Sequence, residues 1–317
     1  GDEMASEEAW NRYISWSEAV ASVAFPLVNE PLPVYLDLED EVLRVIASEA
    51  GNVGDPREGL WTAVRDVTVR GSSFSLAGLM RLQREWSLTP ESRQGAPPSL
   101  AFLALTVLAA EDMGRAEDDI SPIAYYPRLA SLLGLPHDSY DVRHQYPQRA
   151  EGLWGSLNRW LDELDGARGM PTAYALRHRY VGLPLSQALV REGDRRKLPL
   201  FFAQYGLAPG MELAPEVLER YLDAWFGLES CPASALLKRL WARESARERI
   251  ATVASVELVG WDGTLPEGET SDAPQFQRLG LLAQVRQGFM GSSLDVALTL
   301  RRGATDTHQG QMEVESR

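Results

Sequence analysis

The chain has 317 residues, 44% apolar and 24% charged, with a formal net charge of −14. That length and composition supply a sizeable core for one large or two unequal domains and exclude disorder as the default state. A net acidic chain also excludes nucleic-acid binding by its whole surface, because neutralising phosphates needs a basic face.

The charge is unevenly spread. Residues 1–60 hold 3 basic against 13 acidic side chains, whereas residues 171–250 hold 12 basic against 9 acidic. Cys231 is the only cysteine, so no intrachain disulfide or thiolate cluster can form, and a reducing cytoplasmic setting is expected. The longest apolar run, Leu100 to Ala110, is 11 residues and too short for a bilayer. The opening Gly1-Asp2-Glu3-Met4 lacks the basic and apolar stretches of a secretory leader. Arginine outnumbers lysine 29 to 2, a bias that points to a GC-rich bacterial genome.

A first helix is expected over 7–24, with Trp10, Tyr13, Ile14, Ser17, Val20 and Ala21 on one face and Glu7 and Glu8 at its positive end. Pro26, Pro31 and Pro33 break it. Asp37 to Asp40 reads as the start of a second helix and Gly51 as its stop. Further helices are expected near 58–69, 75–86 and 99–113, the last apolar nearly all round and therefore central. Tyr125 to Leu133 closes at Gly134, and 149–165 places Ala150, Leu153, Trp154, Leu157, Trp160, Leu161 and Leu164 at helical spacing. Residues 183–205 read as an interrupted helix. Pro215 opens one that ends at Gly227, and Ser230 and Pro232 open one that ends near 250.

Past 251 the period becomes two. Thr252 to Val259, Leu281 to Val285 and Leu294 to Leu300 alternate as strands, with a turn at Gly260-Trp261-Asp262-Gly263. The expected architecture is a mainly α domain of eight to ten helices over 1–250, followed by a small β-rich module over 251–317, incomplete or the start of a further domain.

Few residues suggest chemistry. Asp37, Glu39, Asp40 and Glu41 sit in a row that is read as capping and a solvated face. Glu111, Asp112, Glu117, Asp118 and Asp119 are read as the polar exit of the buried helix. His137 and His144 lie in a Pro-rich stretch without a third ligand, so no metal site is assigned. Cys231 before Pro232 reads as a cap neighbour. Gly-x-Ser-x-Gly, Walker-type and Gly-x-Gly-x-x-Gly patterns do not occur, so no catalytic residue and no cofactor is assigned.

The basic tract carries the strongest functional hint: Arg177, Arg179, Arg191, Arg195, Arg196 and Lys197, then Lys238, Arg239 and Arg243. Arg191 and Arg195 at i,i+4 could grip phosphate. The competing expectation is pairing with acidic residues, including those of segment 1–60, or with a protein partner; this ranks above nucleic acid because the tract's net charge is small. Trp16, Trp86, Trp241 and Trp261 are candidate interface anchors, since tryptophan and arginine dominate interface energetics. The function expected first is a non-catalytic helical interaction or scaffold module in a larger bacterial assembly. The alternatives are a nucleic-acid-engaging component of genome maintenance or phage defence, and an enzyme using Glu111, Asp112 or the Asp118–Asp119 pair. No membrane partner is expected.

Overall fold

The computed structural model describes residues 5–88, 95–116, 120–173, 179–266, 278–288, 291–302 and 306–314, with backbone alone for 179–180 and for the segments from 278 onward. The chain is mostly helical. Twelve helices of seven residues or more occur among the described residues, above the expected eight to ten, because stretches read as single helices divide at proline and at caps.

Two compact units are present: Gly1–Arg195 with Ala214–Glu257, and Arg196–Leu213 with Leu258–Arg317. In the first, α1 (Glu7–Ala24) is capped by Ser6, whose hydroxyl accepts from the Ala9 amide at 3.1 Å. Helix α2 (Asp40–Glu49) stops at Gly51, which takes the left-handed φ of +71°. Helix α3 (Pro56–Thr68) is capped by Asp55 and leads through a two-residue hairpin, β1 (Val69–Arg70) and β2 (Ser73–Phe74), into α4 (Ala77–Leu88).

Helix α5 (Leu100–Arg115) is the axis of this unit, with 14 of its 16 residues buried. It packs against α1, α3, α6 (Pro122–Leu132), α7 (Tyr140–Glu163) and α8 (Arg179–Ala188). An aromatic chain runs beside it, Phe74 to Phe102 at 6.3 Å, Phe102 to Tyr146 at 6.0 Å and Tyr146 to Tyr125 at 6.1 Å. The remaining elements are α9 (Glu192–Arg195), α10 (Leu198–Gln204), α11 (Pro215–Phe226), α12 (Ala235–Trp241) and α13 (Glu244–Gly260). Beyond them the backbone runs in three antiparallel segments, β3 (Arg278–Gly288), β4 (Gly291–Arg302) and β5 (Asp306–Val314), in the order β3-β4-β5.

Two local expectations are corrected. Thr252 to Val259 is helical, inside α13. Ala254, Val256 and Leu258 alternate as a strand template requires, but Ile250, Ala254 and Leu258 also recur every four residues and are all buried. Helix α7 begins at Tyr140, not 149, and continues through Pro147. The missing amide of Pro147 is offset by tertiary bonds to the early turns. Asp141 accepts from the Phe74 amide at 3.1 Å, while Gln145 accepts from the Leu76 amide at 3.1 Å and donates to the Phe74 carbonyl at 2.6 Å.

The segment 25–39 between α1 and α2 is an ordered strap. The Val28 amide donates to the Ala167 carbonyl at 2.8 Å, the Met170 amide to Leu32 at 2.9 Å, and the Val34 amide to Met170 at 3.0 Å. Gln187 receives the Leu36 amide at 2.8 Å, and Thr172 donates to the Val34 carbonyl at 2.6 Å. The approach is close enough to require Gly169, which has a φ of +93°; a Cβ there would lie 2.1 Å from Val34 Cγ1. Gly169→Ala is therefore expected to cost about 1–3 kcal/mol from backbone strain, with overpacking in addition, read as a lower urea midpoint.

A buried charge cluster as the candidate functional site

The strap delivers Asp37 into the protein between two leucines, Leu36 and Leu38, that are both fully packed away. Asp37 is 8% exposed and Glu111, on the last turns of α5, is 4% exposed. Charges this deep need partners, since an isolated buried carboxylate costs several kcal/mol. The partners come from the turn after α8 and from α9. Arg191 Nη1 donates to Glu111 Oε1 at 2.6 Å and to Asp37 Oδ1 at 3.2 Å. Arg195 Nη2 donates to Asp37 Oδ2 at 3.1 Å, and the Glu192 amide reaches the same oxygen at 3.3 Å. The Arg195 guanidinium also lies 4.0 Å over the Tyr35 ring.

The electrostatics follow from burial. Glu111 is pushed up to about 7 because burial outweighs the favourable charge of Arg191. For Arg191, burial acts to lower it, but Glu111, Asp37 and Glu39 together outweigh that and hold it charged. Burial, then the neighbouring Asp37, raises Glu39. Burial also raises Glu257, and it drives the Tyr35 hydroxyl well above its ordinary range, helped by Glu257. Next to this cluster, Asp194 accepts the Ser234 amide at 2.8 Å and the Ser234 hydroxyl at 2.6 Å, tying α9 to the cap of α12.

Arg191 and Arg195, weighed from the sequence as a phosphate grip and, ranked above it, as partners of acidic residues including those of segment 1–60, are turned inward and both reach Asp37 of that segment. Arg177 lies outside the described residues, and Arg179 is placed by backbone only. Arg196 is exposed and Lys197 half-buried at the start of α10. Lys238 donates to the Cys231 carbonyl at 2.8 Å, Arg243 donates to the Ala116 carbonyl, and Arg239 is exposed on α12.

The tryptophans are largely core. Trp16 is 1% exposed, so it cannot anchor an interface. Trp241 is buried, stacked on Phe226 at 4.8 Å, and donates to Asp223 at 3.1 Å. Trp261 is buried against Phe202 in the second unit and donates to the Thr264 carbonyl at 2.7 Å. Trp86 is half-buried and donates to the Gly95 carbonyl at 3.1 Å.

Among the enzyme-type candidates, Glu111 and Asp112 are both held by arginine, Asp112 by Arg57 at 2.5 Å. Asp118 and Asp119 lie outside the described residues. His144 stacks on Tyr140 and contacts Gln148, and His137 lies 3.5 Å from the Ser131 hydroxyl. No group of three His, Cys, Asp or Glu side chains among the described residues is placed to hold a metal. No helix of the described residues is long and apolar enough to cross a membrane.

Sequence reasoning placed Asp37 on a solvated capping face and Glu111 at the polar exit of α5 or in an enzyme site, and did not bring the two together. The available signal was a charge embedded in an apolar context, Leu36-Asp37-Leu38 and Glu111 at i+4 from buried Val107. Compared with known protein families, characterised proteins and solved structures, the chain matches none.

Replacing Arg191 with leucine leaves two buried carboxylates competing for less positive charge. The expected loss is about 3–5 kcal/mol in chemical denaturation. The double variant Arg191→Leu with Glu111→Leu should recover at least about half of that loss.

Proposed function

We propose that the chain is a non-catalytic helical interaction module of a larger assembly. The observation that carries the reading is how its charged side chains are used. Arg191 and Arg195 are engaged with Asp37 and Glu111 inside the fold, and the half-buried Asp112 is held by Arg57, which favours a structural use over phosphate binding or acid–base chemistry. Apolar side chains remain on the outside. Ile123 on α6 is 85% exposed beside a groove of about 640 Å³ that also involves Ala124, Pro127, Leu132 and Arg128. Val217 and Tyr221 are one turn apart on the outer face of α11. Apolar surface with a charged rim suits a protein partner.

On this reading the helices through α13, which ends at Gly260, act as the recognition part and the residues beyond as a separate β-rich module. The setting inferred from arginine usage and the single cysteine is the bacterial cytoplasm. The test is co-purification from the native host with a tagged chain. Wild type should retain a defined partner, and Ile123→Asp should lose it while its unfolding midpoint stays unchanged. A chain that recovers no stoichiometric partner sinks the proposal.

The nucleic-acid reading, with phage defence as its narrower form, keeps Arg239 and Arg196 as exposed cations. It predicts binding to a DNA or RNA duplex at low salt that falls steeply with added salt and weakens when Arg239 becomes Glu. Undetectable binding at about 50 mM salt removes it.

A further inference from the structure

We propose that Glu111, Arg191 and Asp37 form a proton-operated latch, in which uptake of one proton at Glu111 holds the 25–39 strap more firmly on the turn between α8 and α9. The geometry sets the direction. One guanidinium, Arg191, serves two carboxylates on two separate segments, at 2.6 Å to Glu111 and 3.2 Å to Asp37. While both carboxylates are ionised they repel each other and divide its charge. A neutral Glu111 removes the repulsion and leaves Arg191 and Arg195 to Asp37, the strap's charged anchor.

The surroundings of Glu111 support the same sign. The charges acting on it are Arg191 from the α8–α9 turn, Asp37 from the strap and Arg115 on its own helix. Glu39 and Glu192 act on that side of the cluster, and Glu257 of α13 faces Tyr35 and Arg195. Charged groups on the other packed elements are turned elsewhere. Arg57 of α3 binds Asp112, Arg12 of α1 binds Glu8 and Asp66, Arg128 of α6 binds the Ala124 carbonyl, and Asp141 of α7 binds the Phe74 amide.

Lifting the strap would admit water to Glu111, take Asp37 away and leave Arg191 to Glu111 alone. All three changes favour the ionised carboxyl. Proton affinity is therefore higher with the strap docked, and linkage requires that protonation favour docking. With the docked carboxyl at about 7, this contribution is complete below the ordinary carboxylate range and is lost as pH rises through about 7.

Native-state hydrogen exchange of the intact chain tests this at the Val34 and Leu36 amides, both of which bond across the strap contact. After correction for intrinsic rates, protection should rise about tenfold between about pH 8 and about pH 6, as one proton is taken up. Amides of α11 serve as the reference. Glu111→Gln, a fixed neutral side chain, should stay at the acidic level at both pH values. Equal protection of wild type at the two pH values overturns the latch, as does a pH response that persists in Glu111→Gln. Should the variant fail to fold, carboxyl-carbon NMR of wild type decides. A Glu111 midpoint in the ordinary carboxylate range also overturns it.

Discussion

One guanidinium carries an unusual share of the organisation of the first compact unit. Arg191 sits where three parts of the chain meet: the end of α5, the strap before α2, and the turn out of α8. It is bonded to a carboxylate from each of the first two. Apolar packing brings these parts together but is indifferent to small slides along a helix. A two-pronged ionic contact between named atoms is not indifferent. A cluster of this kind adds little net stability over an apolar replacement, so its contribution lies in fixing register.

Register matters because the strap has little regular structure of its own. Residues 25–39 make no helix, and their only strand-like contact is the bridge between Pro33 and Met170. The strap is positioned at several points: Arg168 on the Phe25 carbonyl, the Met170 backbone, Thr172 and Gln187 on Val34 and Leu36, and the two arginines on Asp37. Gly166 and Gly169 permit the approach by presenting no side chain to Pro31 and Val34. Together these contacts align the start of α2 against α1 and α3, and every helix that packs on α2 inherits that placement.

The helical class was legible in the sequence, and so were most helix starts and stops. Gly51, Gly134 and Pro215 act where the sequence reading places them, and the all-round apolarity of α5 announced its central position. Reading failed where two templates fit one segment or where distant contacts decided. The apolar alternation of Ala254, Val256 and Leu258 coexists with a four-residue repeat, and only packing chooses between them. The start of α7 depends on Phe74 and Leu76, some seventy residues earlier, which no local window contains. For the site, residue type was visible but direction was not. Arg191 and Arg195 stood out as cations, while Asp37 and Glu111 looked like ordinary surface acids because nothing local shows which side of a segment faces inward.

The near-complete enclosure of α5 bears on the order of events as the chain leaves the ribosome. Its covering comes from α1 and α3, already made, and from α6, α7 and α8, which follow. The contact that secures the strap spans 154 positions. On a nascent chain α5 is therefore only partly covered until α6, α7 and α8 have followed, and the strap cannot be secured before the α8–α9 turn emerges.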